Sequence, residues 1–473
     1  MGESGTEADY GRGGSVLDWE EALSLYKNHV ASGSETLIIR DTVKLAQLAK
    51  YAPDNVFACA VPILVQLFQQ SPSSLVVNPS IHEAVVYCLI CFLRKNDSLA
   101  TLLVDLGAVL PVVRMLGNAD GCFRKLLVKL LWYLLTFESK SRILLARNGG
   151  VQVVIDLLGV CRDGSKRYLL EILGMLALVR EREVRRILNG FGGLQFLVEA
   201  ARHGSMLSRE RACQAIGLLG MATRGKRMLV ELGVVPVLLE LLRDGGQSVK
   251  LVAGNALGVI SAHVDNIRPV AEAGAVPLYA DLLRGPDPMG RDIAEDVFCI
   301  LSVEEDIAID IGDHLVRILR EDNDEAKAAA ADVLWDLAGY KHLSVVRSSG
   351  AIPIMVDLLR DGSTEVQEKV SGAFAQLSYN EADRKALAEA GAMPILINML
   401  EDGNQEMKDN AAEALISFAD DPVYVDIVSE ISNAPAFQNM RNRIVQNQTS
   451  DEQIARSFRR LSAQHLSLDS NSA

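Results

Sequence analysis

Apolar positions along the chain follow a repeat of about 40 residues, which is clearest in the segment from Gly350 to Ala375. Each repeat begins at an anchor residue, usually glycine, with apolar residues five and eight positions later and often a leucine at the ninth. This pattern is typical of a stacked solenoid, in which each repeat contacts only its neighbours. The sequence therefore predicts nine repeats within residues 53–425, with anchors at Cys59, Gly107, Gly149, Gly192, Gly233, Gly274, Asp310, Gly350 and Gly391.

Within a repeat, the spacing of apolar residues predicts one helix before the anchor and two after it. From the fifteenth position onward, apolar or small residues recur at spacings of three and four, which places them on one face of a long third helix. In five repeats a proline stands three positions past the anchor, where the first turn of the second helix tolerates it. We expect the second helix to end at an Asp-Gly pair whose glycine supplies a positive φ, at Asp163-Gly164, Asp244-Gly245, Asp361-Gly362 and Asp402-Gly403.

The segments outside the repeats differ from them in composition. Residues 1–14 are polar and glycine-rich, which predicts a disordered tail. Residues 15–52 carry two amphipathic patterns, which predict a helical cap because the end of a solenoid needs a cover. Residues 426–473 leave the repeat and predict a helical and disordered tail. No segment indicates a strand, so the expected fold class is all-α.

The start of the repeats, as in the GAIP sequence at Gly350, resembles armadillo repeats, and so do the paired leucines that end the second helix. The small and apolar residues of the third helix follow the same family pattern, whereas HEAT repeats lack the anchor glycine. The resemblance covers residues 53–425 and extends to armadillo-only proteins and to the repeat region of plant U-box proteins. It implies a right-handed superhelix of about nine three-helix repeats with a concave groove lined by third helices.

The groove positions differ from those of the armadillo proteins that bind extended basic peptides. Those proteins carry asparagines at offset 26 from the anchor and tryptophans at offset 22. Neither is present at those positions here, which argues against that mode of cargo recognition. Offset 26 nevertheless predicts a partner groove that is apolar in six repeats and polar in three, formed by Phe92, Tyr133, Met175, Leu218, Val259, Ile300, Asp336, Gln376 and Ser417.

The apolar part of this stripe has three interpretations. It holds an amphipathic helix of a partner, it is covered by the protein's own tail, or tight curvature buries it within the chain. The sequence does not separate the three. The polar part contains a predicted acidic groove, formed by Asp296, Asp332, Asp336 and Glu413.

Charge is distributed unevenly along the chain, whose net charge is −14. Residues 121–230 contain 19 basic and 8 acidic residues, whereas residues 281–440 contain 12 basic and 32 acidic residues. This predicts an anionic partner at the first region and a cationic one at the second, or head-to-tail self-association. The acidic total and the scarcity of aromatic residues in the basic region argue against a nucleic-acid partner.

Some of the basic residues fall at fixed positions of the repeat. One set stands at offset 17, at the start of the third helix, and packing over apolar surface is favoured over a binding role. A second set forms pairs in the first helix, which indicates a structural role in the framework of the repeat. These pairs are Arg185-Arg186, Lys226-Arg227 and Arg384-Lys385.

The sequence contains no catalytic constellation. Gly220 to Lys226 mimics a phosphate-binding loop, but Arg227 replaces the required Ser or Thr and no strand precedes it. Cys88 and Cys91 form the only CxxC pair and lie in an apolar run, which favours buried thiols over a metal site. We therefore predict no enzymatic activity, no catalytic or metal-binding residue, no cofactor and no small-molecule substrate.

The two ends of the chain carry weak modification signals. Gly2 fits the loose pattern for N-myristoylation, but Glu3 is unfavourable and a second anchoring signal is missing. Ser462 follows Arg459-Arg460-Leu461 and is a candidate phosphorylation site. With no signal-peptide pattern and no apolar run long enough for a membrane span, we expect a cytoplasmic and/or nuclear protein and no membrane partner.

These observations favour a non-enzymatic scaffold or adaptor that binds peptides or helices of other proteins on the concave groove. One alternative is an adaptor associated with a ubiquitin ligase in signalling, although the residues outside the repeats contain no U-box, BTB or F-box segment. The other is a nuclear, transcriptional or transport adaptor that recognises a basic segment at the acidic C-terminal repeats.

Overall fold

A computed structural model describes residues 19–69, 79–161, 164–179, 181–190, 192–338, 345–419, 421–429, 431 and 434–443. The regular structure of these residues is helical throughout, which confirms the all-α solenoid class. The predicted tail of residues 1–14, Gly2 and Ser462 lie outside them. The chain divides into two compact units, unit 1 with residues 1–237 and unit 2 with residues 238–473.

Unit 1 starts with α1 (Trp19–Ser32), α2 (Glu35–Leu48) and a 3-10 turn (Ala49–Tyr51), after which the repeats begin. The described cap helices are amphipathic, and α2 packs along the third helix of the first repeat. The repeats of unit 1 are formed by α3 (Asp54–Gln69), α4 (Pro79–Lys95), α5 (Leu99–Asp105), α6 (Val109–Leu116), α7 (Gly121–Phe137), α8 (Ser139–Arg147), α9 (Gly150–Val160), α10 (Ser165–Ala177), α11 (Arg182–Gly190), α12 (Gly193–His203), α13 (Met206–Gly220) and α14 (Thr223–Glu231).

The boundary between the units falls inside α15 (Val234–Asp244). Unit 2 continues with α16 (Gln247–Ser261), α17 (Val264–Glu272), α18 (Ala275–Leu283), α19 (Pro288–Leu301), α20 (Glu305–Leu319), α21 (Asp324–Ala338), α22 (Val345–Ser348), α23 (Ala351–Asp361), α24 (Thr364–Leu377), α25 (Glu381–Glu389), α26 (Ala392–Asp402), α27 (Gln405–Ala419) and α28 (Val425–Ser429). A last helix, α29, spans residues 435–443. It buries Phe437 and Met440, and its Arg443 pairs with Asp409 of α27 at 2.8 Å.

The anchor glycines separate the first helix of a repeat from the second. All seven have a positive φ, between 71° at Gly350 and 91° at Gly274. Residues with a Cβ are strained in this left-handed region, so glycine is favoured at the position where the first helix ends and the second begins. At Gly350 an added Cβ would meet no atom within 4 Å, so the requirement is conformational rather than steric.

The two repeats without an anchor glycine correct the prediction of three helices in every repeat. Cys59 lies inside the continuous helix α3, and Asp310 lies inside the continuous helix α20. In each case the backbone keeps its right-handed helical conformation at the anchor position, because no glycine is present there to adopt the left-handed conformation. These repeats therefore contain two helices, with the first and second fused into one.

The glycines that end the second helices also differ from the prediction. Gly362 and Gly403 have φ of −74° and −71°, so neither supplies a positive φ. A Cβ on Gly362 would lie 2.4 Å from the Leu358 carbonyl oxygen, and one on Gly403 would lie 2.6 Å from that of Met399. Glycine is needed at these ends because the backbone approaches the preceding turn too closely for a side chain.

Third helices form the interior of each unit. In unit 1, α4 packs on α7 and α7 on α10, and in unit 2, α21 packs on α24 and α24 on α27. The apolar positions predicted for the third helix are fully buried, as in Ala330, Val333, Leu334 and Leu337 of α21. Burial of this repeated face supplies the hydrophobic free energy that holds neighbouring repeats together.

Three of the basic residues at fixed positions bond to carbonyls at helix ends. At offset 17, Arg209 Nε donates to the Gly204 carbonyl at 3.1 Å, and Arg291 Nη1 donates to the Gly285 carbonyl at 2.9 Å. In a first helix, Arg384 Nη1 donates to the carbonyls of Ser378 and Tyr379 at 2.8 and 3.2 Å. Carbonyls at the end of a helix lack intrahelical partners, so these cations belong to the framework.

Candidate functional site

Two of the predicted groove residues in unit 1 are core residues. Phe92 is fully buried and packs edge-to-face on Phe57, with ring centroids 4.6 Å apart. Its neighbour Cys91 is half-buried and Tyr87 is 44% exposed, so the accessible positions of α4 lie one residue before the predicted register. The predicted groove register of the first repeat is therefore wrong by one residue.

Met175 is the second correction, because it is fully buried on α10. The Thr136 hydroxyl of α7 lies 3.9 Å from its sulfur, so the preceding third helix contacts it. The other two predicted positions of unit 1 remain accessible, with Tyr133 half-buried on α7 and Leu218 exposed on α13. The apolar stripe of unit 1 is therefore partly buried within the chain and partly open.

In unit 2, the predicted positions Val259 and Ile300 line a cavity of about 180 Å³ between α16 and α19. Asn255 and Asp296 supply polar groups to the same cavity. The two helices approach closely here, since a Cβ on Gly258 would lie 2.6 Å from a Val297 methyl carbon. The cavity can take one small apolar side chain beside a polar rim.

Asp296 of this cavity belongs to a group of four carboxylates on α19 and α21, and we call Glu295, Asp296, Asp332 and Asp336 the acidic surface. Asp296 and Asp336 are exposed, whereas Glu295 is half-buried and feels the charges of Asp332 and Asp336. Burial, followed by the charges of Asp332 and Asp336, raises the pKa of Glu295 to about 7. The structure thus brings together three of the four residues of the predicted acidic groove.

Glu295 was missed from the sequence because it does not lie at a groove offset. The available signal was its spacing, since Asp292, Glu295 and Asp296 stand three and four residues apart on one face of α19. The spacing alone gives no measure of how deeply the middle carboxylate is buried.

A lysine already occupies one edge of the acidic surface. Lys369 Nζ on α24 donates to Asp332 Oδ2 at 2.7 Å and lies 5.9 Å from the centroid of the Trp335 ring. Burial opposes the charge of Lys369, but the bond to Asp332 and the nearby Glu295 raise its pKa above the usual range. A carboxylate beside an aromatic ring therefore binds a cation here within the chain itself.

The fourth predicted acidic residue, Glu413 of α27, has a different partner. Its Oε1 accepts the Tyr379 hydroxyl proton at 2.6 Å, and Tyr379 is 58% exposed. The predicted groove residues Gln376 and Ser417 lie near this pair along α24 and α27, and both are half-buried. This end of unit 2 offers a second, smaller carboxylate and aromatic pair.

Burial raises the thiol pKa of Cys299 and Cys88. Cys299 donates to Asp336 Oδ2 at 3.4 Å, and burial followed by the Asp336 charge raises its thiol pKa to about 12. Cys88 of the CxxC pair is fully buried with a strongly raised pKa, and its neighbour Cys91 is also a free thiol. Among the residues in the described ranges, no cluster of His, Cys, Asp or Glu is suited to hold a metal ion.

The helices also decide two further features of the sequence, the loop-like segment at Gly220 to Lys226 and the apolar runs. Lys226 of the loop-like segment lies inside α14, so no phosphate-binding loop exists there. Within the described part of the chain, no single helix has the length and apolar composition of a membrane span. Two bent pairs, α5 with α6 and α8 with α9, reach that length and composition only when their helices are added together.

Comparison with known proteins identifies the repeat. The model of the armadillo/β-catenin-like repeat matches residues 380–415, which cover α25 to α27 up to position 415. A search of curated protein sequences finds no match. Among solved structures, 405 chains match.

Two of these structures show the extent of the likeness. One is an engineered protein, 21% identical, that covers 85% of this chain and 99% of its own length with a TM-score of 0.62. The other comes from work on a phosphorylation switch in the interaction between cadherin and β-catenin. It is 17% identical and covers 90% of this chain and 87% of that chain with a TM-score of 0.64. At these identities the likeness shows the fold, which is that of armadillo-repeat solenoids.

Proposed function

We propose that this armadillo-repeat protein is a non-enzymatic scaffold or adaptor that binds an extended cationic segment of a partner protein on the acidic surface of unit 2. The observation that carries the proposal is the crowding of carboxylates around Glu295, whose pKa rises to about 7. A cation of a partner placed among these groups relieves their mutual repulsion, so its binding is favoured by charge.

The contact of Lys369 with Asp332 and Trp335 supports this ligand class. It gives the geometry that a lysine or arginine of a partner would adopt beside the exposed carboxylates of Asp296 and Asp336. The fold also supports a binding role, since the β-catenin structure of the same fold concerns an interaction with cadherin. For this chain we infer the chemistry of the partner and not its identity.

A direct test titrates the full-length chain into a fluorescein-labelled peptide of alternating lysine and arginine and follows fluorescence anisotropy. Replacing two exposed carboxylates, Asp296→Asn with Asp336→Asn, should weaken binding by about tenfold. The matched control, Asp313→Asn with Glu401→Gln, removes the same charge from α20 and α26 and should leave binding within about twofold. Equal losses in both variants would mean that net charge, rather than the acidic surface, attracts the peptide.

Proton release offers a second test that is specific for Glu295. A bound cation favours the ionised carboxylate, so binding near pH 7 should release a proton from a group whose pKa is about 7. Calorimetry in buffers with different ionisation enthalpies would measure this release. The Glu295→Gln variant should still bind the peptide but release no proton, and unchanged release would assign the proton to another group.

We also propose a cellular location for the protein on the basis of this ligand class. A nuclear, transcriptional or transport adaptor would use the same acidic surface to hold a basic segment, and we expect it to be found in both cytoplasm and nucleus. Microscopy with and without inhibition of nuclear export tests this, and an unchanged cytoplasmic distribution would contradict it. An adaptor role beside a ubiquitin ligase stays a prediction from the sequence resemblance.

A further inference from the structure

Four aromatic side chains of unit 1 come together on the third helices α7 and α10. The centroids of Trp132 and Tyr133 are 5.0 Å apart, those of Trp132 and Tyr168 are 5.4 Å apart, and Tyr133 stacks on Phe137 at 5.9 Å. These residues are not sealed in the core, since Phe137 is 42% exposed and Tyr133 is half-buried. Tyr87 of α4 is exposed and bonds to Cys91, which lies close enough to Tyr133 to act on its pKa. We call these five aromatic residues the aromatic surface.

The aromatic surface is held in place by a buried carboxylate. Glu171 is 5% exposed and accepts the Trp132 indole N–H at 2.5 Å through one oxygen. Its other oxygen accepts the Ser205 hydroxyl proton at 2.8 Å, so the carboxylate links α10 to the start of α13. The Trp132 ring therefore has a fixed orientation before any partner arrives, which lowers the entropy cost of binding.

The third helices that carry these rings are rich in basic residues. The three third helices α4, α7 and α10 carry seven basic residues against two acidic ones, Glu83 and the buried Glu171. Arg167 lies over the Tyr168 ring at 4.8 Å from its centroid. Within the described residues Arg94 and Lys129 form no salt bridge with a carboxylate, so their charges are available to a ligand.

The pKa shifts place Arg94 near Tyr87 and Tyr133 of the aromatic surface, and both Arg94 and Lys129 near the adjacent Cys91. Burial raises the pKa of the Cys91 thiol, while the bond with Tyr87 and the charges of Arg94 and Lys129 oppose the rise. Burial likewise raises the pKa of Tyr133, against the charge of Arg94. Cations and aromatic rings thus share one local environment on the accessible side of α4 and α7.

We propose that the aromatic surface binds an acidic peptide segment of a partner protein that carries an aromatic or long aliphatic side chain. The unpaired cations supply charge complementarity to the acidic residues, and the exposed edges of Tyr87 and Phe137 supply apolar contact for the side chain. This site has the opposite charge preference to the acidic surface and uses different helices, so either site can exist without the other.

Single-stranded nucleic acid would also meet cations and rings, but the ring geometry favours a peptide. Stacked bases need open ring faces. Here Trp132 makes edge-to-face contacts with both Tyr133 and Tyr168, and the face of Tyr168 takes the Arg167 guanidinium. One apolar side chain between carboxylates suits the remaining space better than a run of bases.

The test uses the full-length chain with Trp19→Phe and Trp335→Phe, which leaves Trp132 as the only tryptophan. Three fluorescein-labelled probes are compared by anisotropy: an Asp/Glu peptide containing two phenylalanines, the same peptide with serines in their place, and an oligouridylate. The phenylalanine peptide should bind at least about tenfold more tightly than the serine peptide and change the Trp132 emission. Tighter binding of the oligouridylate, equal binding of the two peptides, or an unchanged emission would overturn the proposal.

Matched variants locate the site. The double variant Tyr87→Ala with Phe137→Ala should weaken binding of the phenylalanine peptide by about tenfold. The single variant Lys129→Gln should weaken it by about threefold. The controls Ile143→Ala and Lys140→Gln alter α8, where Ile143 is also 42% exposed, and should leave binding unchanged. Because four of these five side chains are exposed and Lys129 is half-buried, thermal unfolding should stay close to wild type, which separates a lost contact from a lost fold. Equal effects in both sets would refute a site at the aromatic surface.

Discussion

The Trp335 ring of α21 lies against Gly372 of α24 so closely that a Cβ on that glycine would fall 2.7 Å from two ring carbons. The glycine has a helical backbone with no positive φ, so the requirement for it is steric. The close approach lets the ring stay in place beside Lys369, whose Nζ is 5.9 Å from the ring centroid.

Gly372→Ala should therefore lower the free energy of unfolding by about 1–3 kcal/mol, because the added methyl group overpacks the contact with Trp335. This exceeds the gain of up to about 1 kcal/mol that alanine gives in a helix. Chemical unfolding followed by circular dichroism measures the change. The double variant with Trp335→Leu should recover most of the loss, and a double variant as unstable as Gly372→Ala would contradict the contact.

Gly350→Ala tests the conformational role of the anchor glycine, whose φ is 71°. The cost should be about 1–2 kcal/mol, because alanine is strained in the left-handed region although no atom blocks its Cβ. Gly159→Ala is the control, since Gly159 of α9 also has open space around a Cβ but no positive φ. Thermal unfolding should show destabilisation only for Gly350→Ala, and equal melting temperatures would argue against the conformational explanation.

The repeat pattern predicted most of the fold because its signals are local. The anchor at Gly391 and the apolar spacing on α27 both act within a few residues, and the structure places a helix break and a buried face there. The exceptions are also local in origin, since Cys59 and Asp310 cannot adopt the glycine conformation and their helices fuse. The sequence contained this information, but the period alone suggested nine identical repeats.

The surfaces were harder to predict because they depend on distances between repeats. Met175 contacts Thr136 on the preceding third helix, and the raised pKa of Glu295 comes first from its burial and then from carboxylates on the next third helix. The aromatic surface was missed for the same reason, since Trp132 and Tyr168 are separated in sequence and meet only when α7 packs on α10. Composition counts such residues without showing which of them lie together.

Arg384 and Lys385 are adjacent in sequence but should respond differently to substitution. Arg384→Met removes the hydrogen bonds to the carbonyls of Ser378 and Tyr379 and should cost about 1–2 kcal/mol of stability. Lys385→Met removes the same charge from a side chain that is 72% exposed, and should cost less than about 0.5 kcal/mol. Hydrogen exchange of the peptide covering the end of α24 should increase only for Arg384→Met. A comparable increase for Lys385→Met would show that charge, rather than the bond to the helix end, matters.

The stability of unit 2 should depend on pH through Glu295. Its pKa is raised from 4.5 to about 7 in the folded chain, so between these pH values the folded state binds more protons than the unfolded state. Stability should therefore be higher near pH 5 and decrease as the pH rises toward 7, by on the order of 1–2 kcal/mol once solvent screening is included. Glu295 feels the charges of Asp332, Asp336, Lys369 and Asp292. Its repulsion from Asp332 and Asp336 is expected to increase as Glu295 ionises.

Glu295→Gln should flatten this dependence, because the amide stays neutral over the whole range. Urea unfolding of both proteins at several pH values between 5 and 8, followed by the fluorescence of Trp335 in a Trp19→Phe and Trp132→Phe background, measures the difference within unit 2. The control Glu401→Gln changes an exposed carboxylate on α26 and should keep the wild-type slope. If the wild-type slope survived in Glu295→Gln, the crowding of charge at Glu295 would not control the stability of unit 2, and the proton release expected on binding a cationic peptide would have to come from another carboxylate.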